Sequence, residues 1–219
     1  MAKQTELTET PTRELILQSA RKQFLERGFQ GAAIRKIASD AGITYGALYG
    51  YFGSKEELFY ALTDPLIGRI LKKLDEMESG IFALPAEKRL LGMSNIFYVQ
   101  IPELVELIFE DREIVNLVLG GAKGTKYENF LSELVKRDAR AISAAAESSE
   151  TQDVQMFDRQ TLEIMMEGYM AALFHLIVSD REKQEVARSM EIFAKIYEAG
   201  MLELMKKSKN ENDLGGTKA

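Results

Sequence analysis

Cysteine is absent from this 219-residue chain, and histidine occurs once. Without cysteine there is no disulfide, no thiolate metal ligand and no cysteine nucleophile. The one histidine, His175, stands between Phe174 and Leu176, where a structural hydrogen bond is expected rather than a general base or metal ligand. No P-loop, G-x-G-x-x-G, H-E-x-x-H or G-x-S-x-G pattern occurs. On this inventory we expect no enzyme, no metal and no cofactor. No run of about 18 apolar residues is present, so no membrane span is expected. The leading MAKQTELTETPTRE is polar and lacks the apolar core of a signal peptide. These absences suit a cytoplasmic protein. There is no strand-like alternation and no internal repeat at 20–50 residues. Hydrophobic residues make up 46% of the chain, enough for a substantial core. The length suits one medium domain, or a small domain with a larger one.

The most informative stretch is IRKIASDAGITYGALYGYFGSKEELF, from Ile34 to Phe59. Ile34, Ile37, Ala38 and Ala41 fall at i, i+3, i+4 and i+7, which puts them on one apolar helical face. Gly42 ends that helix, because glycine tolerates the left-handed conformation of a C-terminal cap. Thr44 is placed to cap the next helix by accepting from an orphan backbone N–H. Leu48 and Phe52, at i and i+4, face inward, and Tyr45 and Tyr49 form a second row beside them. Ser54-Lys55-Glu56-Glu57 then fits a capping box and opens another helix. A short helix, a glycine turn and a second short helix exposing small and polar side chains make a helix-turn-helix. Its second helix is narrow enough to enter a DNA major groove.

Thr44-Tyr45-Gly46-Ala47-Leu48-Tyr49-Gly50-Tyr51-Phe52, followed by Lys55-Glu56-Glu57-Leu58, resembles the DNA-binding signature of the TetR/AcrR family of bacterial transcriptional regulators. The motif resemblance spans about Thr12 to Phe59. It implies an all-α fold: an N-terminal three-helix head over residues 10–56, a helical effector-binding and dimerisation body over 57–206, and a disordered tail over 207–219. It also implies a sequence-specific regulator of double-stranded operator DNA, most often a repressor released by a small hydrophobic or amphipathic effector. The last two helices would pair two copies into a homodimer. By the same resemblance Thr44, Tyr45, Gly46 and Ala47 reach base edges, while Tyr49 and Lys55 meet phosphates; Arg35 is a base or phosphate contact. At Ala32 and Ala33 the chain departs from the family, which usually carries a capping Ser or Thr there; the departure removes a cap worth about 1 kcal/mol. The alternative class is a helical ligand-binding or interaction module with a vestigial head. The intact Thr44–Lys55 stretch speaks against it.

A net charge of −6 is unusual for a DNA binder, but its distribution is uneven. Residues 1–55 carry 8 Lys+Arg against 5 Asp+Glu, and the remainder 20 against 29. A mildly basic head on an acidic body meets phosphates locally, with modest non-specific affinity.

Along the rest of the chain, Thr10-Pro11 or Thr12 starts the first helix. Ile16, Ala20 and Phe24 form its stripe, Gly28 closes it, and Phe29 plugs the core beneath the motif. The helix opened by Ser54 meets Asp64-Pro65, where an interior proline costs about 3 kcal/mol unless the helix kinks or restarts. Asp64 as cap and Pro65 at the first position would allow a restart toward Met77. Further helices are expected across Leu90–Val99, from Pro102 to Phe109, from Arg112 to Leu119, from Thr125 toward Ala146, from Phe157 to Val178 and from Glu182 to Met205. Leu162, Met165, Met166, Tyr169, Leu173, Leu176 and Ile177 form one stripe, and Met190, Phe193, Ala194, Tyr197, Met201, Leu204 and Met205 another. By the same resemblance both are read as the dimer face, the alternative being the chain's own core. Phe97, Tyr98, Ile101, Phe109, Tyr127, Met165, Tyr169 and His175 are the expected lining of an effector pocket. Glu103, Glu106, Glu110, Asp111 and Glu113 form an acidic cluster, read as a solvated face or as a selector of cationic effectors.

Overall fold

The computed structural model describes residues 11–85, 101–147, 159–179 and 181–215. Every regular element among them is an α-helix: α1 (Pro11–Gly31), α2 (Ile34–Asp40), α3 (Tyr45–Tyr51), α4 (Lys55–Phe82), α5 (Ile101–Ile108), α6 (Arg112–Gly120), α7 (Phe130–Glu147), α8 (Arg159–Val178) and α9 (Lys183–Gly215). Phe97, Tyr98 and the rest of the Leu90–Val99 stretch lie outside the described residues. No described helix is long and apolar enough to cross a membrane.

The chain forms two compact units, one running up to Arg69 and taking in Asp111–Phe130, the other holding Ile70–Glu110 and the residues from Leu131 onward. This division differs from the expected cut between residues 56 and 57. α6 and the turn after it pack with α1 and the start of α4, and local sequence pattern cannot report contacts between residues so far apart.

In the first unit Ile16, Ala20 and Phe24 are fully buried, and Ile37, Leu48, Phe52, Leu58 and Phe59 close on them. Phe59 stands edge-on to Phe24 at 5.1 Å and to Phe29 at 5.2 Å between ring centroids. Such pairs add about 0.5–1.5 kcal/mol each beyond the area they bury. Ser19 Oγ donates to the Ile37 carbonyl at 2.9 Å, fastening α1 to α2.

α6 is capped by Asp111, whose carboxylate accepts from the Ile114 N–H. The same carboxylate accepts from Arg21 on α1 at 2.7 Å, and Glu113 takes another Arg21 N–H at 2.6 Å. Burial opposes the Asp111 charge, but the hydrogen bonds from Arg21 and Ile114 outweigh it and hold the carboxyl below its ordinary pKa. Beyond α6, the Tyr127 hydroxyl donates to Asp64 at 2.7 Å and the Lys126 ammonium reaches the same carboxylate at 2.7 Å. Lys126 also lies 4.3 Å from the centroid of the Tyr60 ring.

These contacts correct two expectations. The Asp64 side chain is spent on Lys126 and Tyr127 rather than on capping a restarted helix, and α4 runs through Pro65 from Lys55 to Phe82. Tyr127, expected in the body, belongs to the first unit. The helix expected from Thr125 begins only at Phe130. Thr125 Oγ1 donates to the Ala122 carbonyl and accepts from the Tyr127 N–H, local bonds that compete with helix formation.

In the second unit Leu74 and Met77 of α4 are buried, with Ile101, Leu104, Val105 and Ile108 of α5, Leu134 of α7, Tyr169, Leu173 and Ile177 of α8, and Val186, Met190 and Ala194 of α9. The acidic cluster is dispersed: Glu103 pairs with Lys73 and Glu106 with Lys183, while Asp111 and Glu113 serve Arg21 in the first unit. It therefore forms no single anionic site. α9 continues to Gly215 rather than ending at Met205.

Candidate nucleic-acid interface

Gly28 has φ +65° and ψ 177°, which breaks the helical path of α1, and Gly42 has φ +72° in the turn between α2 and α3. Both are conformations that side chains with a Cβ rarely adopt. The Gly42 turn brings Thr44 to the head of α3, where its Oγ1 accepts from the Ala47 N–H at 3.1 Å. At the head of α4, Ser54 Oγ accepts from the Glu57 N–H at 3.0 Å. The reciprocal bond of the expected box lands one residue earlier: Glu57 accepts from the Gly53 N–H at 2.7 Å.

Capped at both ends of this turn, α3 buries Leu48 and leaves Tyr45, Gly46, Ala47, Tyr49 and Gly50 exposed. Thr44 is likewise exposed. The Tyr45 and Tyr49 rings meet edge-on at 5.0 Å, with their hydroxyls 3.4 Å apart. That hydrogen bond with Tyr45 raises the Tyr49 phenol above its ordinary pKa. Arg35 extends from α2 over the Tyr45 ring, 5.6 Å from its centroid. Lys55 donates to the Gln30 carbonyl at 3.2 Å and lies 4.9 Å from the Phe29 ring centroid. Burial lowers its pKa. Two of its three N–H groups remain for another acceptor. The seven residues expected to meet DNA thus belong to one unit, with Arg35, Tyr45 and Tyr49 in one row. Sequence reading missed the Arg35–Tyr45 contact, since no periodicity links residue 35 to residue 45.

Ala33 takes the extended backbone of a helix cap, φ −102° and ψ 112°, but supplies no side-chain acceptor. Ala33→Ser is expected to stabilise the protein by about 1 kcal/mol. That should appear as a rise of roughly 2–4 °C in the thermal midpoint of the full chain. An unchanged or lower midpoint would show that the exposed N–H groups of α2 are already satisfied by water.

Ile101 and Tyr169 are buried in the second unit, Phe109 and Met165 are half-buried there, and Tyr127 lies in the first unit. His175 is exposed on α8. The two stripes on α8 and α9 are divided between buried and exposed positions. Tyr169, Leu173, Leu176, Ile177, Met190 and Ala194 are buried within the chain's own unit. The side chains of Leu162, Met166, Met201, Leu204 and Met205 lie outside the described residues. The large apolar residues left exposed on these helices are Ile164 and Val178 on α8, and Ile192 and Ile196 on α9.

Comparison with known proteins bears on the same residues. Positions 16–62 match the family model described as bacterial regulatory proteins, tetR family. The HTH-type transcriptional repressor AcnR of Corynebacterium glutamicum is 37% identical over 67 residues. That match covers 31% of this chain and 36% of the repressor, so the chain spans about a third of the length of such relatives. A TetR-like transcriptional regulator from Rhodococcus sp. RHA1 superposes with a TM-score of 0.56 at 22% identity, over 88% of this chain and 100% of that one. A transcriptional regulator from Aquifex aeolicus VF5 gives a TM-score of 0.53 at 21% identity, over 85% and 99%. At such identities the likeness is one of fold. The matched family and these relatives are regulators and not enzymes. Residues 16–62 are therefore similar to the helix-turn-helix domain of the tetR family of bacterial regulatory proteins, and the all-helical fold is shared with the two superposed regulators.

Proposed function

We propose that this protein is a sequence-specific DNA-binding transcriptional regulator. The observation that carries the reading is the outer face of α3. It is held rigid by the Thr44 cap and the buried Leu48, yet presents Tyr45, Gly46, Ala47 and Tyr49 to solvent. An element spending its inward residues on the core and leaving small and aromatic side chains outward suits a major groove. In this reading Thr44, Tyr45, Gly46, Ala47 and Arg35 serve base recognition, and Tyr49 and Lys55 fix register on phosphates.

The functional division is a head centred on residues 10–56 and a body carrying dimerisation and effector binding. One recognition helix reads only a few base pairs, and two related by a two-fold axis read half-sites about 34–36 Å apart. The dimer is proposed to form through α8 and α9. The exposed Ile164, Val178, Ile192 and Ile196 favour that face, since covering their apolar surface with a second copy removes it from water. AcnR is named a repressor, which favours repression here. Release by a small hydrophobic or amphipathic effector would follow if that effector prefers one arrangement of the two heads. Chromosomal DNA as the partner would favour a cytoplasmic location.

The test is fluorescence anisotropy on duplex DNA from upstream of the protein's own gene, across a salt series. Wild type is expected to bind with affinity falling steeply as salt rises. Tyr49→Ala and Lys55→Ala should each weaken binding, and Lys55→Ala should reduce the salt slope by about 1. Equal, weak binding by all three, both to this duplex and to sequences drawn from a random library, would overturn the assignment in favour of a helical ligand-binding module.

A further inference from the structure

We propose that Tyr45 is a positioning residue that holds the Arg35 guanidinium ready for duplex DNA. This rests on the DNA-binding reading and adds how one of its contacts is organised. The cations of the first unit are held in different ways. Lys36 is paired with Asp40 at 2.6 Å, and Arg21 is taken by Asp111 and Glu113. Among the described residues Arg35 has no carboxylate partner; its guanidinium lies over the Tyr45 ring instead, 5.6 Å from the centroid. The chemical difference matters. A carboxylate occupies the N–H groups of the fork, whereas a ring attracts the cation through its face and leaves the edge donors free. Those donors match a pair of acceptors on DNA, either guanine O6 and N7 or two phosphate oxygens.

Tyr45 is itself fixed from its other side. Its ring meets Tyr49 at 5.0 Å and 67°, and its hydroxyl donates to the Tyr49 hydroxyl at 3.4 Å. Arg35 on α2 and Tyr45 and Tyr49 on α3 therefore form one exposed row across both helices of the motif. Tyr45 is 47% exposed, so the row contributes little to the core. Its use is to restrict a rotamer-rich arginine before DNA arrives, which lowers the ordering cost of the contact.

The test is a double-mutant cycle on the full chain. The probe is a duplex enriched by wild type from a random-sequence library. Tyr45→Leu, which removes the ring, is expected to weaken binding about five- to tenfold in the wild-type background. In the Arg35→Ala background the same change should weaken it by a clearly smaller factor, because only Tyr45's own base contact, and no positioned guanidinium, is then lost. Tyr45→Phe keeps the ring and should retain most of the coupling. Arg35→Ala should either lower the salt slope by about 1, which marks a phosphate contact, or leave it intact while relaxing preference at one base position. Either result keeps the proposal. An equal loss from Tyr45→Leu in both backgrounds would mean that Tyr45 acts independently of Arg35, and would overturn it. Failure of wild type to enrich any sequence would overturn the DNA-binding reading and this proposal together; normal enrichment with an uncoupled cycle would overturn this proposal alone.

Discussion

Phe59→Ala is expected to lose about 3–5 kcal/mol of stability, the range for removing a fully buried aromatic ring. Phe59 is 0% exposed and sits between Phe24 and Phe29, edge-on to both at 5.1 and 5.2 Å. The loss has three sources: the apolar surface no longer buried, two ring–ring contacts, and a cavity whose walls collapse only in part. It should also reach the function, because Leu48 and Phe52 of α3 belong to the same core and their burial holds the outer face of α3 in place. Urea denaturation of the full chain, followed by helical circular dichroism, would read the change as a lower midpoint in the transition that includes the head. Anisotropy would read it as lost DNA binding. A stability loss under about 1 kcal/mol would show that the site refills and that Phe59 is not the keystone of this core.

Gly28→Ala is expected to cost about 1–3 kcal/mol from backbone strain alone. With φ +65° and ψ 177°, Gly28 occupies a region that is essentially restricted to glycine. A second effect adds to it. A Cβ at this position would stand 3.1 Å from the Gly121 carbonyl oxygen, and that same oxygen accepts from the Phe29 N–H at 2.7 Å. The new methyl group therefore presses on the hydrogen bond that joins the end of α1 to the turn after α6. Gly68→Ala is the control: it lies within α4, and a Cβ there meets nothing within 4 Å. Removing a helical glycine of that kind should stabilise by up to about 1 kcal/mol. The two substitutions are chemically identical and should move the urea midpoint in opposite directions. A neutral Gly28→Ala would mean that the α1–α6 junction relaxes without strain.

The helix-turn-helix was legible because each of its signals is local. The Gly42 turn, the Thr44 cap and the Ser54 cap depend on bonds within three or four residues, and the structure holds all three. The inward pair Leu48 and Phe52 follows from helical period alone and is buried. Where the reading erred, a distant partner decided. Asp64 next to Pro65 is a plausible helix start by propensity, yet Lys126 and Tyr127 claim its carboxylate. The acidic run from Glu103 to Glu113 looks like one patch in sequence, yet its members face different cations, Lys73, Lys183 and Arg21. Thr125 looks like an ordinary helix starter, yet its hydroxyl is held by the turn it sits in.

The sequence by itself determined the helical class, the order of the N-terminal elements and the residues on the outer face of α3. Caps, turns and amphipathic period are set by neighbours a few positions away, and those are written in the chain. Only the tertiary structure decided which apolar stripes of α8 and α9 close inward and which isoleucines stay exposed, because burial depends on every element that packs around a side chain. It alone also set Arg35 over Tyr45 and joined α6 to α1 through Arg21 and Asp111. Those contacts form between side chains that no local rule relates, when separate helices are folded against each other.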